Sequence, residues 1–228
     1  INNELARGTI QVKKVDSNDV EKILSGIDFN ISVKDDMSEI IQTVKTDDNG
    51  IATFDDLELG VYYIQEAKQV DGYVLNDHIY KVIVTKDGDM LEVTCVNKPT
   101  EMVFSKQDFT TGKELEGAHM SVAEKETGKV IDEWVSTKEP HQIKYLVEGK
   151  EYILTEKIAP KEYEIAESIT FTAKDGNKIV MKDKLKPKTP QTGDETNVGL
   201  WATLALGAGA VLAAAILLTK RKDMKEDK

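Results

Sequence analysis

The sequence predicts an all-β protein: two tandem immunoglobulin-like β-sandwich domains followed by one C-terminal transmembrane helix. Three observations lead there. Apolar and polar residues alternate over most of the chain; in Ile27-Asp28-Phe29-Asn30-Ile31-Ser32-Val33-Lys34 every odd position is apolar, the pattern of a strand with one buried face. The pattern then repeats once, with a period of about 90 residues, too long for a solenoid and suited to a tandem. Finally, Val198 to Leu218 carries no charge, and about 21 residues are enough to cross a hydrocarbon layer of about 30 Å as a helix.

Turn chemistry separates the strands, as in Asp48-Asn49-Gly50, Asp87-Gly88-Asp89 and Asp175-Gly176-Asn177. Many short strands with frequent turns favour a sandwich or barrel over a parallel sheet, and long helices are not expected before the tail. The two copies correspond in detail. Val12-Lys13-Lys14-Val15-Asp16 matches Phe104-Ser105-Lys106-Gln107-Asp108, Leu24-Ser25-Gly26 matches Leu115-Glu116-Gly117, and Leu57-Glu58-Leu59-Gly60 matches Leu146-Val147-Glu148-Gly149. Tyr62, Glu66 and Gly72-Tyr73 correspond to Tyr152, Glu156 and Glu162-Tyr163, and Asn97 to Asp183. The expected division is an N-terminal junction over 1–8, domains over 9–99 and 100–184, a spacer ending in a Thr-Pro-Gln-Thr-Gly pentapeptide over 185–194, a membrane helix over 195–219 and a basic tail over 220–228. The short join at Lys98-Pro99-Thr100 predicts modules that stack with limited freedom.

The net charge of −11 over 228 residues, with a pI near 4.9, argues against a nucleic-acid partner and suits an extracellular surface. A lone Cys95 makes no internal disulfide, so an exported protein of this kind must stabilise its small domains by other means. The chain opens on Ile1 with no signal peptide while its tail calls for export, and the expectation is the C-terminal part of a longer precursor.

Strand parity supplies that other means. Side chains two apart share a face, so Lys14 lies with Ile10 and Val12, Glu66 with Tyr62 and Ile64, and Asn97 with Val93 and Cys95. The second copy repeats the arrangement in Lys106 with Met102 and Phe104, Glu156 with Tyr152 and Leu154, and Asp183 with Ile179 and Met181. Burial disfavours the charged forms of Lys and Glu alike. A neutral amine beside an amide or acid carbonyl, with a protonated Glu to polarise it, is set for acyl transfer, and a fold that holds the two groups together supplies a very high effective molarity. The product would be an isopeptide bond, with ammonia released at Asn97 and water at Asp183. The plain alternative is an ordinary buried ion pair in each copy.

Both copies resemble collagen-adhesin B-type domains, the SpaA-like prealbumin fold. The second fits along its length through Phe104-Ser105-Lys106, Trp134, Glu156 with Ala159-Pro160, and Ile179-Val180-Met181-Lys182-Asp183. The resemblance implies Lys14–Asn97 and Lys106–Asp183 cross-links, assisted by the catalytic Glu66 and Glu156. Where the family's Glu box ends in Ala-Pro-x-Gly-Tyr, the copies have Val70-Asp71-Gly72-Tyr73 and Ala159-Pro160-Lys161-Glu162-Tyr163. At the C-terminus, Thr189-Pro190-Gln191-Thr192-Gly193, the apolar run and Lys220-Arg221-Lys222 resemble in order the cell-wall sorting signal of Gram-positive surface proteins, with Thr189 standing where that family has Leu. This implies a sortase as partner, a cut between Thr192 and Gly193, transfer to a peptidoglycan or pilin amine, and only transient membrane insertion with the N-terminal part outside.

Covalent cell-surface attachment and a stiff stalk follow as expectations, with a pilin subunit or an adhesin for a host matrix protein as the alternatives. The family's Tyr-Pro-Lys-type acceptor motif of pilin shafts does not occur in these 228 residues. No cofactor or metal is expected: His78, His119 and His141 are scattered without ligand spacing, and no Gly-rich phosphate loop or Ser/Cys–His pattern is present. Enzymatic turnover is not expected either; the only chemistry argued is single-turnover self-modification. Cys95 and Trp134 are expected as core residues, and Trp201 at the membrane interface.

Overall fold

A computed structural model describes residues 5–187. The first module contains β1 (Arg7–Asp16), β2 (Asp28–Ser32), β3 (Ile40–Lys45), β4 (Ile51–Glu58), β5 (Gly60–Glu66), β6 (Tyr80–Val84) and β7 (Met90–Asn97). The second contains β8 (Glu101–Asp108), β9 (His119–Glu124), β10 (Val130–Val135), β11 (His141–Lys144), β12 (Glu151–Ile158), β13 (Ile169–Thr172) and β14 (Lys178–Asp183). The sorting pentapeptide from Thr189 to Gly193, the expected membrane helix and the basic tail lie outside the described residues. Among the described residues no helix is long and apolar enough to cross a membrane.

Each module packs a three-stranded sheet, β4-β1-β7 or β11-β8-β14, against a four-stranded one, β3-β2-β5-β6 or β10-β9-β12-β13. In both, the first and last strands are parallel neighbours while every other pairing is antiparallel. A parallel pair requires a long crossover, and the rest of the module supplies it. Ile10, Val12, Phe54 and Cys95 of one sheet meet Phe29, Ile31 and Ile64 of the other in the first core; Met102, Phe104 and Met181 meet Val122, Tyr152 and Leu154 in the second. Each large side chain so buried contributes about 1.5–3 kcal/mol.

The alternation from Ile27 to Lys34 predicts a strand running to Lys34, but β2 stops at Ser32. The buried Ser32 hydroxyl accepts the Lys34 N–H at 2.9 Å, which turns the chain out and leaves Val33 exposed. Another buried hydroxyl organises the loop after the first strand of each module. Thr46 Oγ1 accepts from Ile27 N and donates to Leu24 O, and Ser136 Oγ does the same with Ala118 N and Leu115 O.

The modules meet through a buried join. Thr100 donates its N–H to Gly72 O at 3.0 Å and its hydroxyl to Leu146 O at 2.6 Å, while its carbonyl accepts the Tyr145 N–H at 2.9 Å. Tyr145 adopts a left-handed φ of 66°, a conformation costing a non-glycine residue about 1–3 kcal/mol. Its surroundings offset that cost. The ring lies edge-on to Tyr73 with centroids 5.6 Å apart, Lys22 Nζ stands 3.9 Å from its centroid, and its hydroxyl donates to Asp16 Oδ2 at 2.8 Å. Asp16 also accepts from Asn18 N, Tyr73 Oη and Lys22 Nζ. Burial would push the Asp16 carboxyl up, but these donors outweigh it and hold it at about 2. A depressed value stabilises above the ordinary 3.8 and is lost only as pH falls toward about 2, so the charged lock persists through mild acid.

Gly72 is required at this join. It has a φ of +80°, and a Cβ there would sit 2.9 Å from the Tyr145 carbonyl oxygen. Gly72→Ala is expected to open the join while each module stays folded, so a broad-specificity protease such as proteinase K should cleave around Thr100 at least about tenfold faster than in the wild type.

Candidate cross-linking sites

Register fixes the first site. In the parallel pair Lys14 lies opposite Cys95 and Asp16 opposite Asn97, which places Lys14 and Asn97 on one face, offset by two residues along the strands. The Lys14 N–H is held by Gly50 O at 2.8 Å, and its carbonyl accepts Leu24 N at 2.9 Å. From the facing sheet, β5 brings Glu66. Lys14 and Asn97 are 0% exposed and Glu66 5%, so the three polar groups sit where water does not reach.

The Lys14 ammonium touches Asn97 Oδ1 and lies 3.1 Å from Glu66 Oε2 and 3.4 Å from Cys95 Sγ. Asn97 Nδ2 donates to Glu66 Oε1 at 3.1 Å. One glutamate thus spans the amine with one oxygen and the amide nitrogen with the other.

The second site has the same frame and different chemistry. Lys106 lies opposite Met181 and Asp108 opposite Asp183, and Lys106, Glu156 and Asp183 are all buried. The ammonium contacts Asp183 Oδ1 and stands 3.1 Å from Glu156 Oε1, while Glu156 Oε2 accepts the Ala166 N–H at 2.8 Å. Glu156 Oε1 and Asp183 Oδ2 are both buried without a well-directed donor, as is Glu66 Oε2 in the first site. Burial pushes the Asp183 carboxyl up to about 6; Lys106 opposes this and the neighbouring Glu156 adds to it.

All six triad residues named from parity are therefore brought together in two separate sites. Sequence reasoning missed Asn76 and the Ala166 N–H, which close over the sites from the segment after Tyr73 or Tyr163. That segment carries no strand pattern, so parity could not place it. Cys95 is in the core as expected, but its contact with the amine depends on register, which alternation alone leaves open. Trp134 packs on the second core beside Phe104 and stacks on His141, which bonds Asp132 at 2.8 Å. His78 lies edge-on to Tyr80, and His119 is exposed. Among the described residues no group of three or more His, Cys, Asp or Glu side chains converges as a metal site.

Two buried Lys triads in tandem sandwiches with parallel first and last strands define a recognisable class of β domain. The family model for the SpaA prealbumin-like fold domain matches residues 8–99 and again 100–185, and the chain belongs to that family. Among solved structures, the Bacillus anthracis TIE protein is 25% identical with a TM-score of 0.54, over 79% of this chain and 34% of its own. This chain therefore spans about a third of that protein. A streptococcal ancillary pilin is 23% identical over 82% of this chain and 64% of its own, with a TM-score of 0.38. The shaft pilin SpaA of Lactobacillus rhamnosus GG is 15% identical over 82% and 100%, with a TM-score of 0.37. No curated protein matches.

Replacing one member of a triad strands the others in the core. In a chain already lacking Glu66, where no bond is expected, a further Asn97→Ala change should cost far less stability than Lys14→Met does alone, because the latter forfeits the expected bond and also leaves the buried Glu66 carboxylate without its cation, itself a loss of roughly 3–5 kcal/mol. Urea unfolding of the three variants measures this.

Proposed function

We propose that this chain forms the wall-proximal part of a surface shaft, each module closed by an intramolecular isopeptide bond and the whole attached through Thr192 by a sortase. The duplicated triad supports the cross-links most directly. In the first module, Lys14 Nζ attacks Asn97 Cγ, the Cγ–Nδ2 bond breaks and Nδ2 leaves as ammonia. Glu66 takes the amine proton at Oε2 and returns a proton to the leaving nitrogen from Oε1, both at 3.1 Å. In the second, Lys106 Nζ attacks Cγ of the protonated Asp183, the Cγ–Oδ2 bond breaks, and Oδ2 leaves as water with the acid's own proton and the amine proton relayed by Glu156. Exclusion of water and fixed positions make amide formation favourable here although it is unfavourable in solution.

The joined residues are 83 and 77 positions apart, so by the loop-closure argument for disulfides each bond would stabilise by about 4–5 kcal/mol. Attachment rests on the sequence order of Thr189 to Gly193, the apolar run and Lys220 to Lys222. A sortase, and a peptidoglycan or pilin amine as acceptor, would be the partners, and the covalently held cell surface the location. Family membership favours a second reading, a pilin subunit polymerised through the same signal. The third, binding of a host matrix protein, has no surface feature in its favour among the described residues.

Intact mass is the deciding experiment. The chain should be lighter than its sequence by one ammonia and one water; Glu66→Ala should restore only the ammonia and Glu156→Ala only the water, and a full unmodified wild-type mass refutes the cross-links. A ladder of covalent multimers in wall extract on a denaturing gel selects the pilin over the stalk.

Acidity should separate the modules further. The Asp183 carboxyl is raised from 3.8 to about 6, so its neutral, electrophilic form is present below about 6 and is lost above it. In chains synthesised cell-free and chased at set pH, water loss from the second module should slow as pH rises through about 6. A rate that climbs across this range refutes the role of the protonated Asp183 carboxyl.

A further inference from the structure

The first site holds a buried thiol that the proposed reaction leaves unused. Cys95 is 0% exposed, directly opposite Lys14 in the parallel pair, with Sγ 3.4 Å from Nζ. The sulfur is itself fixed. Asn76 Nδ2 reaches it at 3.4 Å and also donates to Val96 O at 2.9 Å, while Asn76 Oδ1 accepts the His78 N–H at 3.0 Å. Burial pushes the Cys95 thiol up, so the sulfur stays a neutral acceptor and does not compete as a nucleophile.

We propose that Cys95, held by Asn76, is a positioning residue that orients the Lys14 amine toward Asn97. The inference rests on the cross-linking reading. A neutral amine has two N–H bonds and one lone pair. Three groups surround Nζ: Glu66 Oε2, Cys95 Sγ and the Asn97 side chain. Asn97 is met through Oδ1, which accepts from the ammonium; with one proton gone and the two remaining N–H bonds held by Glu66 and Cys95, the lone pair is left on the side of the Asn97 carboxamide.

The second module shows why only the first needs such a clamp. Met181 replaces Cys95 there, and among the described residues Lys106 Nζ is met only by the carboxyls of Asp183 and Glu156. A protonated acid accepts a nucleophile more readily than a primary amide, so the amide site gains more from orientation.

The test follows ammonia and water loss together by intact mass in full-length chain made by cell-free pulse synthesis, the second module serving as internal control. Cys95→Val, near in volume but without an acceptor, should slow ammonia loss by about fivefold to tenfold, the effect of one lost orienting contact, with water loss unchanged. Cys95→Ser, which restores an acceptor, should recover to within about twofold. Asn76→Ala, outside the core, should slow ammonia loss about threefold and decides the matter if the Val variant does not fold. Ammonia loss at the wild-type rate in Cys95→Val and Asn76→Ala, or equal slowing in Val and Ser variants, overturns the clamp while leaving cross-linking intact. A wild-type chain that never loses ammonia overturns both.

Discussion

Everything in each module depends on pairing its first strand with its last in parallel. This is the costlier way to build a sheet: the pair is non-local, and most of the module must fold as the crossover between its two halves. What the arrangement gains is position. Side chains offset by two residues on adjacent parallel strands point into the same core at hydrogen-bonding separation, and the facing sheet can add a third group from β5 or β12. An ammonium and a carboxyl in that place would each cost several kcal/mol if left alone. Their mutual contact is what makes burial tolerable, and it is also what brings an amine against an acyl carbon.

The two sites solve the same electrostatic problem with different proton inventories. In the first, Asn97 is neutral, so Glu66 is the only acid facing Lys14 and its two oxygens divide between amine and amide. In the second, two carboxyls face one ammonium, and Glu156 turns one oxygen to the Ala166 N–H while the other shares space with Asp183. Burial, and after it the neighbouring Glu156, disfavours a charge on Asp183, which is why its carboxyl is raised to about 6 although Lys106 opposes the shift. Exchange of an amide for an acid at the end of the last strand thus changes the groups that meet the lysine while the strand register stays the same.

Much of this was legible in the sequence because alternation reports faces. Ile10, Val12 and Lys14 could be placed on one side of one strand without knowing its neighbours, and the second copy gave an independent reading of the same parity. Register and loop geometry were not legible. Nothing in the alternation sets Cys95 opposite Lys14, since that depends on how β1 aligns with β7. The early end of β2 turns on a single Ser32 hydroxyl capturing a backbone N–H, an alternative that every serine in a strand offers. Tyr145 was invisible as a junction residue because its value lies in the other module, where Asp16 and Lys22 wait for it.

The join between modules gives the sites a common mechanical meaning. Asn97 ends β7 and β8 begins at Glu101, so the residue proposed to receive the first bond lies three peptide steps from Thr100. With both bonds formed, tension applied along the chain would run from β1 into Lys14, across to Asn97, through Lys98-Pro99-Thr100 into Lys106, and across to Asp183. The residues from Val15 to Val96 and from Gln107 to Lys182, which make up most of both cores, would lie off that path. Their hydrogen bonds and apolar contacts would then resist bending and proteolysis without bearing extension. Between the two bonds the load would pass through ordinary backbone alone, from Lys98 to Ser105, and that stretch includes the join where Thr100 is buried, Gly72 admits no side chain and Tyr145 is locked to Asp16.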